Sequence, residues 1–132
     1  MQPISIGRVA RESGISIETI RFYEHKGLME EPERQANGYR QYRQADIARL
    51  KFIQQAKGLG FTLNEIRELL SLRSDTAASC REIRIVGSKK LEEIEHRIKS
   101  LHKIKRALKK LVQQCPGKGP KSDCPILEAL DS

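Results

Sequence analysis

Three cysteines are the residues in this sequence whose type and spacing best suit chemistry. Cys115 and Cys124 flank the stretch CPGKGPKSDC, and Cys80 lies 35 residues before Cys115. Thiolates are soft ligands that select soft ions. Gly117, Gly119 and Pro120 permit the chain to reverse tightly between the two loop thiols, as a pair of ligands closing on one ion requires. No histidine lies in the loop, and His25, His96 and His102 fall on predicted helices away from it. Three sulfurs without a protein-supplied fourth ligand favour Hg(II) first and Pb(II) second, because structural Zn(II) normally takes four ligands in a tetrahedron. No carboxylate cluster accompanies the loop, which excludes a hard Mg or Ca site. Three other readings compete. Cys80 and Cys115 could be small apolar residues in helix contacts. Cys115 and Cys124 could form a redox disulfide, which leaves Cys80 idle. A cysteine nucleophile would need a nearby base, and no histidine is within local reach of any of the three.

A metal site requires elements that bring the thiols together. The chain has 132 residues, about one domain's worth plus an extension. Lys and Arg number 25 against 17 Asp and Glu, a net charge of +8, which favours an anionic partner and nucleic acid first. The charge is spread evenly: residues 1–73 hold 12 basic against 9 acidic groups, and residues 74–132 hold 13 against 8. DNA binding must therefore come from placed residues. There is no apolar run of about 18 residues that could span a membrane, and the N-terminal MQPISIGRVARESG lacks a signal-peptide core. A cytoplasmic protein with reduced thiols is expected.

The first stretch, SIGRVARESGISIETIRFYEHKGL, predicts two short amphipathic helices about Gly14. Ser5 is the N-cap candidate of the first, Ser16 begins the second, and Gly27 ends it. Two short helices joined by a Gly turn are the sequence form of a helix-turn-helix. Asn37-Gly38 then predicts a tight turn between two short strands, a wing. Tyr39, Arg40, Tyr42 and Arg43 alternate aromatic and basic groups, a pattern that suits contacts to phosphates; the competing reading is a surface hairpin with half-buried tyrosines. Ile47, Leu50, Phe52, Ile53 and Ala56 predict a third helix, closed by Gly58 and Gly60. Thr62 with Glu65 makes a capping box for a fourth, whose stripe is Ile66, Leu69, Leu70 and Leu72. These four helices are expected to form a winged helix-turn-helix unit over residues 1–73, with a polar connector at 74–79.

From Cys80 to Gln114 a single long helix is predicted, with Leu91, Ile94, Ile98, Leu101, Leu108 and Val112 at heptad spacing. Its early turns are acidic and its late turns basic, which complements the helix dipole. So narrow an apolar seam needs a partner helix, and a second copy is the simplest one. At 1.5 Å rise per residue, Cys80 and Cys115 of one chain lie roughly 50 Å apart. One ion cannot take both. In an antiparallel pair, however, the partner's Cys80 arrives beside Cys115, so that each end of the coiled coil offers three thiols. Residues 115–132 then form the metal-binding loop and tail.

At this point the sequence resembles the MerR family of metal-responsive transcription regulators. The resemblance is densest in IGRVARESGISIETIRFYEHKGL, NGYRQYRQADIARLKFIQQAKGLGFTLNEIRELL and CPGKGPKSDCPIL, and it runs along essentially the whole chain. It implies an all-α fold with a small β wing: a winged helix-turn-helix domain, a long antiparallel dimerisation helix and a C-terminal metal-binding loop. It implies a non-enzymatic homodimer on double-stranded promoter DNA, acting with RNA polymerase. Ser16, Thr19, Arg21 and Tyr23 of the second helix would enter the major groove, and Tyr39, Arg40, Tyr42 and Arg43 of the wing would clamp the backbone. Family promoters have an overlong spacer. The apo dimer would hold the promoter inactive, and metal would reorient the DNA-binding domains and untwist the spacer. In the family, a cysteine at the start of the dimerisation helix marks sensors of divalent ions, where sensors of monovalent copper and gold have serine. Zinc sensors add a second cysteine beside the first loop cysteine and a loop histidine. Here Gln114 and Pro116 flank Cys115, and the loop reads GKGP. Cys80, Cys115 and Cys124 without extras resemble the mercury-sensing members most, with Pb(II), Cd(II) or Zn(II) as the alternative inducers.

Overall fold

The computed structural model describes residues 4–32 and 41–132. The predicted turn at Asn37-Gly38 and two of the predicted DNA contacts, Tyr39 and Arg40, lie outside the described residues. The remaining chain is helical: α1 Ile6–Ser13, α2 Ile17–His25, α3 Gln44–Gly58, α4 Leu63–Ser74, α5 Cys80–Gln114 and α6 Pro125–Asp131. The only β pairing among the described residues is an antiparallel bridge between Ile4 and Tyr42, with Ile4 N–H donating to the Tyr42 carbonyl at 3.1 Å and Tyr42 N–H returning at 2.9 Å.

Each helix start follows from its sequence. Ser5 Oγ accepts from Arg8 N–H at 3.2 Å, and Ser16 Oγ from Thr19 N–H at 3.2 Å, so each side chain takes one of the four amides that a helix start leaves free. Thr62 and Glu65 exchange bonds of 3.2 and 2.8 Å, the predicted capping box. At Gly14 the chain turns with φ 74°, a conformation that a Cβ would strain.

The chain divides into two compact units, residues 1–87 and 88–132. In the first, most of the residues predicted to face inward do so, while Phe52, Leu69 and Leu72 are only half-buried. Val9, Ile20, Leu28, Leu50, Ile53 and Ile66 are almost completely buried, joined by Ile15, Ile47, Ala56 and Leu70. Helix α1 packs on α2 and α3, and α4 on α3. Phe52 stays half-buried at the edge, where the Arg73 guanidinium lies 5.0 Å from its ring centre and covers the exposed face.

The second unit is built on α5 from Ser88 onward, the C-terminal loop and α6. The apolar stripe of α5 is exposed along its length: Leu91, Ile98, Leu101, Ile104, Leu108 and Val112 each show about half or more of their surface.

Candidate metal centre and DNA-binding face

The burial of Ile20 and Tyr23 sets which way α2 faces. With these two turned inward, Glu18, Arg21, Phe22 and His25 point outward. Arg21 is therefore exposed on that outward face, and Ser16 is exposed at the helix start. Ser16 also donates to Thr19 Oγ1 at 2.8 Å, so both hydroxyls are already engaged in the cap. Arg43, exposed at the entry to α3, has its amide bonded to Asp46 Oδ2 at 2.8 Å and leaves its guanidinium outward.

Two expected contacts are corrected. Tyr23 is 4% exposed and Tyr42 1% exposed, so both rings belong to the core. The Tyr42 hydroxyl donates to Glu24 Oε2 at 2.8 Å, and Lys57 Nζ sits 5.8 Å over the Tyr23 ring. An aromatic–basic alternation fits a half-buried strand exit as well as a phosphate clamp, and here burial of the large ring decides between them. Phe22 is a surface feature that the motif reading does not single out. It is 44% exposed beside Arg21, with Lys26 Nζ 5.7 Å from its ring centre. Helical spacing from Ile20 and Tyr23 is the signal that points to it.

The loop thiols do come together. Cys115 extends α5 by one step, its N–H bonded to the carbonyls of Leu111 and Val112 at 3.1 and 3.2 Å. Gly117 and Gly119 then take φ of 72° and 97°, and a single 3-10 turn at Lys121–Asp123 delivers Cys124 to the N-cap position of α6. Cys115, Lys118, Lys121, Asp123, Cys124 and Leu127 line a cavity of about 210 Å³. The Leu127 amide at the open end of α6 holds the Cys124 thiol below its ordinary pKa. Partial burial opposes this, and the Ile126 amide and the Cys115 thiol add to it. Cys124 thus lies beside a second sulfur, with its thiol held below the ordinary range.

Cys80 is the first residue of α5 and is exposed. Its turn is fixed by Ser79, whose N–H and hydroxyl both donate to Glu82 Oε2, at 2.7 and 2.6 Å. Those bonds lower the Glu82 pKa. Helix α5 runs unbroken for 35 residues, about 50 Å at the standard rise. Among the described residues no three Cys, His, Asp or Glu side chains gather where they could hold an ion. One chain therefore offers two sulfurs in the loop. That pair suits a soft cation, and Asp123, the one carboxylate on the cavity wall, falls short of the oxygen set that a hard ion takes.

Comparison with known proteins agrees with these features. The profile described as MerR HTH family regulatory protein matches residues 4–72, and that described as MerR, DNA binding matches residues 47–111. The chain belongs to the MerR family. Family members are DNA-binding transcription regulators of the helix-turn-helix type, and this chain is one of them rather than an enzyme. A mercuric resistance operon regulatory protein from Bacillus cereus is 43% identical over 125 residues, covering 95% of each chain. The transcription regulator PbrR691 of Ralstonia metallidurans in complex with lead(II) superposes with a TM-score of 0.86 at 31% identity, over 96% of this chain and 98% of that one. The dual-function regulator MerR of Bacillus megaterium in complex with mercury(II) gives a TM-score of 0.73 at 39% identity, over 98% and 100%. Among the described residues no helix is long and apolar enough to cross a membrane.

Proposed function

We propose that this chain is a mercury(II)-responsive transcriptional regulator that works as an antiparallel homodimer on promoter DNA. The observation that carries the reading is the division of the thiols. Cys115 and Cys124 line one cavity, while Cys80 stands at the far end of a helix with an uncovered apolar seam. A second copy covers the seam and supplies the third sulfur, so that Cys115 and Cys124 bind with Cys80 of the partner subunit. In the same register Leu91 meets the partner's Ile104 and Ile94 the partner's Leu101, while two copies of Ile98 flank the dyad. Glu92 and Glu93 then face the partner's Lys103 and His102. A parallel pair would instead stack acid on acid and base on base, which charge repulsion disfavours.

Three thiolates around one ion suit Hg(II), and the mercury-named relative and the mercury-bound structural neighbour, at 43% and 39% identity, support that choice. The higher TM-score of the lead-bound neighbour favours Pb(II) as the second reading. In the apo state the dimer holds the promoter inactive with RNA polymerase present. Metal at the two helix ends reorients the DNA-binding units and distorts the spacer, so that the polymerase elements align. The ion supplies the crosslink. The chain supplies the three sulfurs, a fixed helix start at Ser79 and Glu82, and outward arginines for phosphate.

The test is a titration of the reduced dimer with Hg(II), Pb(II), Cd(II) and Zn(II) under excess competing thiol, read by sulfur-to-metal ultraviolet absorption, with Cys80→Ser alongside. The proposal expects Hg(II) alone to survive competition and the variant to lose the band. Equal retention of Zn(II) or Cd(II), or a variant that titrates like the parent, contradicts it.

A further inference from the structure

Three side-chain hydrogen bonds that span long stretches of sequence end on one short segment. Tyr42 donates to Glu24 Oε2 at 2.8 Å, Arg49 Nε to the Leu28 carbonyl at 2.6 Å, and the Arg67 guanidinium to the Lys26 carbonyl. The acceptors occupy the last turn of α2 and the turn just after it. A helix leaves its final carbonyls without internal partners, and a guanidinium that takes one both caps the helix and restrains its direction. Helix α2 packs mainly on α1, and α4 mainly on α3. Arg67 therefore bridges two helices that are not principal packing neighbours, with its other nitrogen held on α4 by Asn64 Oδ1 at 2.9 Å.

Helix α4 is also the element that leads to Cys80. The five-residue connector between α4 and α5 contains neither Gly nor Pro. It is bonded at nearly every step: Asp75 N–H to the Ser71 carbonyl at 3.1 Å, Ala77 N–H to Asp75 Oδ1 at 2.9 Å, Ala78 N–H to the Asp75 carbonyl at 3.1 Å, and Ser79 to Glu82. A joint of this kind passes a displacement of the first turn of α5 to α4 instead of absorbing it.

We infer that Arg67 is the positioning residue that couples metal at Cys80 to the direction of the DNA-facing helix α2. The inference rests on the metalloregulator reading above. Arg67 neither ligates the ion nor lies on the outward face of α2. Its loss leaves both sites standing and weakens the link between them. Linkage makes that link measurable from either end: a dimer that distorts DNA when metal binds holds metal with a different affinity on DNA than in free solution, by the same factor.

The experiment compares the full-length wild type with Arg67→Met and Arg67→Lys. Hg(II) affinity under thiol competition is measured on the free dimer and on the dimer saturated with a duplex selected from a random pool by the apo protein. A 2-aminopurine at the spacer centre reports distortion. The wild type is expected to show affinities differing by about 5-fold or more between the two conditions. Arg67→Met is expected to bring that ratio close to one and to lose the metal-dependent fluorescence change, with free-dimer Hg(II) affinity and apo DNA affinity unchanged. Arg67→Lys, which still reaches a carbonyl with one donor, falls between. Retention of the wild-type ratio and fluorescence change in Arg67→Met overturns the inference. So does a joint fall in Hg(II) affinity, apo DNA affinity and melting temperature in both variants, which marks a merely structural role. A wild-type dimer with no Hg(II) absorption sinks the metal reading itself, and the inference with it.

Discussion

Replacing Ile98 by alanine tests whether the seam of α5 is an interface between two copies. Ile98 is 48% exposed in the single chain. Full burial of an isoleucine side chain contributes about 1.5–3 kcal/mol, so covering the exposed half contributes about 0.7–1.5 kcal/mol per chain. A two-fold interface counts each residue twice, giving about 1.5–3 kcal/mol per dimer. Alanine keeps one carbon of the side chain, so the loss is about 1–2 kcal/mol per dimer, or roughly a 5- to 30-fold rise in the dimer dissociation constant. Sedimentation equilibrium across a dilution series reads that constant directly. The melting of the first unit should not move, because its core is made by α1 to α4. An unchanged dissociation constant for both Ile98→Ala and Ile98→Lys would refute the argument, since lysine would set two like charges beside the dyad.

Three other outcomes follow from the side chains described. The folded pKa of Cys124 lies below its unfolded value, so the thiolate persists to lower pH in the native protein. Alkylation of a Cys80→Ser/Cys115→Ser variant, followed across pH, should therefore show a lower midpoint when native than in denaturant, and this form of stabilisation is lost as pH falls through the folded value. Tyr42→Phe removes a bond to a carboxylate and should cost about 1–2 kcal/mol in urea unfolding, without changing the salt dependence of DNA binding, because the hydroxyl points at Glu24. Arg21→Ala should weaken DNA binding on all sequences alike and reduce the log–log salt slope by about 0.9 for each phosphate that the guanidinium no longer neutralises.

Much of the fold was legible because local signals agreed with one another. Ser5, Ser16, Thr62 and Gly14 sit where capping and turn chemistry put them, and the periodicity of Ile47, Leu50, Ile53, Ile66 and Leu70 marks the core face. The long helix was legible end to end, since Cys80 to Gln114 holds no proline and a steady seven-residue repeat. The tyrosines were not. Tyr42 lies four residues past Gly38 in a basic stretch, and only its bridge to Ile4 and its bond to Glu24, neither of them local, draw the ring inward. The arginines that grip the end of α2 were equally hidden, because Arg67 and Lys26 are 41 residues apart and nothing in either neighbourhood marks the other. For the candidate metal site, sequence spacing brought Cys115 and Cys124 to one loop. That α6 would aim its open amides at Cys124 depended on Pro125 starting a helix, which the loop composition did not reveal.

The most direct measurement mixes two variants that each lack a complete site. Cys80→Ser keeps both loop thiols, and Cys115→Ser/Cys124→Ser keeps Cys80. Alone, neither should hold Hg(II) under thiol competition. Co-expressed, they form mixed dimers in which one end has its full set of three sulfurs, with Cys115 and Cys124 from one chain and the partner's Cys80. With random pairing the mixture should recover about a quarter of the wild-type sulfur-to-mercury absorption, because about half the dimers are mixed and each carries one of two sites. No recovery in the mixture, or full binding by Cys80→Ser alone, would contradict a site shared between subunits.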